Sequence, residues 1–106
     1  MNNLRQDLDS VLIDPESHTE YRLHAVKRIF ERGISRTCVS DIIKMGVVIE
    51  SYPDDQPFPS CLILGRCQGR PFHVVIGLNK EGKTIHVITV YEPSLVYWDN
   101  EYRSRK

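Results

Sequence analysis

The sequence has no long apolar run: its longest apolar stretches are four or five residues, so nothing in it reads as a membrane span. Met1 is followed by Asn-Asn-Leu-Arg and not by an apolar segment of signal-peptide length, which makes a cytoplasmic address the expectation. Cysteine is scarce: Cys38, Cys61 and Cys67 are an odd number, and they do not suggest a disulfide framework. Cys61 and Cys67 fall in one apparent strand, about 20 Å apart at strand rise, too far to bridge. No CxxC or HxxxH spacing occurs, so no zinc site and no other metal or cofactor is expected. All three cysteines therefore read as small buried or half-buried thiols in a reducing compartment. There is no GxSxG elbow, phosphate loop or dinucleotide fingerprint. Acid–base chemistry without metal or organic cofactor is the enzymatic class left.

What is present is an ordinary globular composition, 41% hydrophobic and 26% charged over 106 residues, enough for one domain with one modest core. The net charge is zero, but it is patterned. Residues 1–21 hold five acids against one base, and residues 22–36 hold five bases against one acid. Residues 37–60 are again acidic and 61–91 basic, so local charge permits a polyanionic partner although overall charge does not indicate one.

Residues 1–16, with Val11-Leu12-Ile13 closed by Asp14-Pro15, read as an N-terminal arm or short helix, and 17–106 as a single domain. Ser17-His18-Thr19-Glu20 has capping-box form and predicts a helix over about 18–32, with Leu23, Val26, Ile29 and Phe30 as its apolar stripe and Gly33 past its last turn. Ser35 as N-cap, Val39, Ile42 and Ile43 as apolar face and Gly46 as stop predict a second helix. Strands are expected at 47–52, 61–67, 71–79 and 84–91. A Pro-rich loop at 53–59 and short turns at 68–70 and 80–83 separate them. The tail, with Tyr97, Trp98 and Tyr102, reads as a fifth edge strand or a short helix. The expected fold is α+β: two N-terminal helices packed on a twisted antiparallel sheet of four to five strands.

His24, Arg28 and Arg32 recur every four residues and form one helical column, suited to a phosphate backbone. His73 and His86 lie on the third and fourth predicted strands, and His73 alternates out of phase with Phe72, Val74, Ile76 and Leu78. Arg66 and Arg70 flank a strand end, Tyr91 closes the last strand, and Arg103, Arg105 and Lys106 make the tail basic.

The run His24-Ala25, Arg28, Arg32-Gly33-Ile34-Ser35, Gly46, Leu64-Gly65-Arg66, Pro71-Phe72-His73-Val74-Val75, Thr89-Val90-Tyr91-Glu92-Pro93, Trp98 and Arg105-Lys106 resembles the family called domain of unknown function 4258, over about residues 21–106. The resemblance implies bacterial or archaeal origin and a likeness to RelE-type toxin ribonucleases of the wider barnase, colicin and RelE-like group. It implies RNA as substrate, including mRNA on the ribosome, and a small CxxC zinc-finger antitoxin as partner. In such enzymes the RNA 2′-hydroxyl attacks the adjacent phosphate without a metal. On that basis His24 and His73 are the expected acid–base pair, Arg28 and Arg66 the phosphate holders, and Tyr91 an orienting group or proton donor. Arg32, Arg70, Arg103 and Lys106 are expected further along the RNA. A non-catalytic protein-interaction module, using the Pro-rich loop and aromatic tail, is the alternative.

Overall fold

The computed structural model describes residues 3–106. Three helices and five strands follow one another as α1 (Leu4–Leu12), β1 (His18–Tyr21), α2 (Leu23–Arg32), α3 (Arg36–Met45), β2 (Val47–Tyr52), β3 (Ser60–Cys67), β4 (Arg70–Asn79) and β5 (Thr84–Tyr91). The strands make one sheet in the order β1-β5-β4-β3-β2. The meander from β2 to β5 is antiparallel, and β1 joins the far edge parallel to β5. Among the described residues no helix is long and apolar enough to cross a membrane.

The α+β architecture agrees with the sequence, but three expectations need correction. Among the described residues there are three helices, not two. The segment read as an arm or a short helix is the helix α1, capped by the Asn3 side chain, and it buries Leu4, Leu8 and Val11 in the common core. The capping box at Ser17 does not start a helix either. His18–Tyr21 is β1, whose backbone pairs with β5 from Thr84 to Val87, and edge pairing there overrides a local capping preference. The fifth strand is therefore β1 and not the tail, and because it runs parallel to β5 the sheet is mixed and not antiparallel throughout as expected.

α2 begins only at Leu23, with the Arg22 amide donating to the Val87 carbonyl at 3.0 Å. That docking turns the helix so that Ala25 and Ile29 face the sheet, and it leaves Leu23 and Phe30 outside. The predicted apolar stripe is thus split between two faces. Gly33, at φ 65°, ends the helix in the left-handed conformation that glycine adopts without cost. α3 follows the sequence closely: Ser35 accepts from the Cys38 amide, and Val39, Ile42 and Ile43 are buried. It lies close against β3, where a side chain at Gly65 would meet Ile42. Arg5 of α1 donates to the carbonyls of Ile43, Lys44 and Gly46, satisfying the end of α3.

The cysteine expectation also needs correction. Cys38 in the first turn of α3 and Cys67 at the end of β3 are joined by a disulfide, with Cα atoms 6.1 Å apart. Only Cys61 is a free buried thiol, and burial pushes its pKa up to about 11. The bridge spans 29 residues of sequence, so strand spacing alone did not reveal it.

The helices and the inward residues Ile63, Phe72, Val74, Ile76, Leu78, Ile85, Val87 and Val90 share one core on one side of the sheet. The other side is roofed by the chain after β5. Residues 93–106 turn back on themselves as a strap, with a bridge between Trp98 and Arg105 and the Lys106 amide donating to the Tyr97 carbonyl at 2.9 Å.

Candidate active site on the strap-covered face of the sheet

Strand alternation puts His73 on the face away from the helices, because its neighbours Phe72 and Val74 point into the core. Two irregularities bring company to it. The β4–β5 register shifts between Val75 and Ile76: Val87 pairs with Ile76 and Thr89 with Val75, which leaves Ile88 as an extra residue. Beyond this bulge the phase of β5 inverts, so Val90 enters the core and Tyr91 lands directly across from His73. A second shift between Val48 and Glu50 does the same on β2. Val48 packs toward the core, while Glu50 pairs with Leu62 on the outer face. Strict alternation along either strand would have put Glu50 and Tyr91 on the wrong side.

His73 is fully buried, at 0% exposure. Its Nε2 lies 2.7 Å from the Tyr102 carbonyl and its Nδ1 3.1 Å from the Tyr91 hydroxyl. A carbonyl only accepts, so Nε2 carries the proton and donates, and the bare Nδ1 accepts from Tyr91. Trp98, 3% exposed, packs edge-on against the imidazole at 4.4 Å, and the Tyr91 ring stands at 5.2 Å. Burial pushes the His73 pKa below its usual value, partly opposed by the Tyr102 hydrogen bond and the Glu50 charge. Burial raises the Tyr91 pKa.

Glu50 anchors the strap from β2. Arg105 donates to its carboxylate at 2.9 and 3.0 Å, a two-pronged pair, and its guanidinium lies 4.6 Å from the Trp98 ring centre. The Tyr52 hydroxyl also donates to Glu50. The Arg105 hydrogen bond holds the Glu50 carboxyl below the usual range, and the bond to Glu50 raises Tyr52. Arg66 lies two residues beyond Leu64, the partner of His73, and so projects on this same face. It is exposed, 5.9 Å from the Tyr102 ring centre.

Of the residues singled out in the sequence, His73, Tyr91 and Arg66 share this face. His24 and Arg28 do not join them. Both lie on α2, with the sheet between them and His73, so a His24–His73 acid–base pair does not form. Arg28 is paired with Glu31 at 2.7 Å. Arg32 and Arg70 meet on the helix side: Arg70 donates to the Arg32 carbonyl at 3.4 Å and to Glu92 at 2.8 Å. Arg103 and Lys106 are exposed on the strap. Glu50, Tyr52, Trp98 and Arg105 were missed as site residues. A lone carboxylate inside the strand Val47–Tyr52 and the only tryptophan were the available signals.

A second titratable cluster lies at the β1 edge. Glu20 sits 3.5 Å from His18 Nε2 and 3.3 Å from His86 Nδ1, and Phe58 stacks on the His86 ring at 5.2 Å. The His86 nitrogen is close to the carboxylate but is not aimed to hydrogen bond with it. Among the described residues no three His, Cys, Asp or Glu side chains are arranged to hold a metal ion.

Residues 21–92, from the last residue of β1 to just past β5, match the family model described as Domain of unknown function (DUF4258). The chain belongs to that family. In DUF4258 terms, β2–β5 with His73, Tyr91, Glu50 and Arg66 lie within the matched region, while α1 and the strap flank it. Neither a curated protein nor a solved structure matches the chain.

Proposed function

We propose that the chain is a RelE-like toxin of the metal-independent endoribonuclease type and that it acts on the strap-covered face of the sheet. The observation that carries this reading is the His73 cluster: an imidazole and a phenol in contact, with Arg66 on the same face, its guanidinium 5.9 Å from the Tyr102 ring centre. Attack of a 2′-hydroxyl on the adjacent phosphorus needs a base for the attacking oxygen, an acid for the departing 5′-oxygen, and cations for the crowded phosphorane. The bond from the 2′-oxygen to phosphorus forms as the bond to the 5′-oxygen breaks. The 2′ proton passes to the base, and the 5′-oxygen takes a proton from the acid. The products are a 2′,3′-cyclic phosphate and a 5′-hydroxyl.

His73 and Tyr91 have the chemistry for the acid–base roles, and Arg66 for the phosphate. His24 has no part in this assignment, and Arg28, Arg32 and Arg70 serve at most the outer path of the RNA. The Tyr102 carbonyl occupies His73 Nε2, so RNA reaches that nitrogen when the strap lifts. The resemblance carries the remaining expectations: mRNA, free or on the ribosome, as substrate, and a small zinc-finger antitoxin as partner.

Purified protein should cut mRNA in EDTA, and Arg66→Ala, an exposed substitution, should cut on the order of 10²–10³ more slowly. Tyr91→Phe and His73→Ala should also lose activity. Intact RNA at high protein concentration, with and without ribosomes, refutes the reading. A second reading is favoured by one observation: both nitrogens of His73 are satisfied within the fold, as in a structural histidine. The chain is then a binding module, and its induction leaves growth unaffected.

A further inference from the structure

α2 presents an apolar seam to solvent. Leu23 is 84% exposed and Phe30 87% exposed, although the helix buries Ala25 and Ile29 on its other side. Leu23, half-buried Val26 and Phe30 follow a three-then-four spacing, the step by which one helix engages another, and the two exposed outer anchors lie about 10.5 Å apart along the axis. Exposed apolar side chains set in register on one helix mark an interaction surface more than scattered ones do.

Charge identifies the occupant. Arg22 and Lys27 flank the seam, and neither has an acidic partner among the described residues. The segment 22–36 carries five bases against a single acid, Glu31, and that acid is taken by Arg28. A second copy of this chain docked through α2 would set Lys27 and Arg22 against the same cations. An acidic helix would complement them.

We propose that the outer face of α2 is a docking surface for an acidic amphipathic helix of a partner protein. Apolar residues of that helix, at three- and four-residue steps, cover Leu23, Val26 and Phe30, and its carboxylates face Arg22 and Lys27. The surface lies on the opposite side of the molecule from His73, so it does not rest on the nuclease reading, and its test does not use RNA.

The probe is a labelled synthetic helix of about 20 residues, long enough to hold helical structure, with Leu at those steps and Glu on both flanks. A twin carries Lys in place of Glu. Anisotropy gives the affinity and amide chemical shifts give the location. The acidic peptide should bind, with shifts confined to α2, and binding should weaken as salt rises. Leu23→Ser and Phe30→Ser should each weaken it at least about tenfold without lowering the melting temperature, since both positions are exposed. Lys27→Glu should shift preference toward the Lys twin. Four results overturn the proposal: no binding by the acidic peptide, equal binding of the twins, shifts away from α2, or a dimer of the chain abolished by Phe30→Ser.

Discussion

Trp98→Ala removes the side chain that seals His73 from solvent. The indole is 3% exposed and meets the imidazole edge-on at 4.4 Å, with Arg105 on its ring. Truncating a buried tryptophan costs about 3–5 kcal/mol, including about 0.5–1.5 kcal/mol from the aromatic contact itself. For a domain near 100 residues, 1 kcal/mol moves the melting temperature by about 4 °C, so the variant should melt about 12 °C or more below the parent. The same change admits water to His73, and since burial is the largest cause of its lowered pKa, the titration midpoint should rise toward the ordinary histidine value. Thermal melts by circular dichroism and a pH series of imidazole carbon-bound proton shifts read the two effects. A melting temperature within about 2 °C of the parent, with an unchanged His73 midpoint, would refute the idea that the strap packs over this ring.

Three further outcomes are expected. His73 has a lowered pKa in the folded chain, so the unfolded chain binds its proton first as pH falls. Its stabilising effect is complete above about pH 6.5 and is lost below it. Glu50, also lowered, adds a second loss on acidification below about pH 4.5, and urea melts across pH 3–8 should show both. Gly65→Ala should destabilise by about 1–3 kcal/mol, because its Cβ would lie 2.7 Å from Ile42 Cγ2 and force α3 off β3; denaturant midpoints check this. Reducing the Cys38–Cys67 bridge, which spans 29 residues, should cost about 3–4 kcal/mol by the loop-entropy relation, read as a lower melting temperature in reductant and a two-hydrogen mass gain.

Local signals carried much of the fold. β5 at Thr84–Tyr91 and α3 between Ser35 and Gly46 lie where turn, cap and alternation place them, since each is bounded by its own punctuation. The failures share a cause, which is long-range pairing. His18–Tyr21 is a strand only because the edge of β5 is free to receive it. Phe30 looks like a core residue by spacing, yet it points outward once Arg22 is fixed to β5. The site was half legible. His73 on the non-core face follows from alternation, but Tyr91 and Glu50 reach that face through bulges at Ile88 and Ile49, and one extra residue in a strand leaves no mark in composition. Arg105 and Trp98 became site residues only when the strap folded back over the sheet.

The chemistry of the cut ends tests the central claim most directly. A short RNA cleaved by the purified chain in EDTA should yield a 2′,3′-cyclic phosphate and a 5′-hydroxyl, and a single 2′-deoxy substitution at the scissile nucleotide should abolish cutting there. A 3′-hydroxyl with a 5′-phosphate, or undiminished cleavage of the deoxy substrate, would contradict attack by the 2′-oxygen and with it the roles assigned to His73, Tyr91 and Arg66.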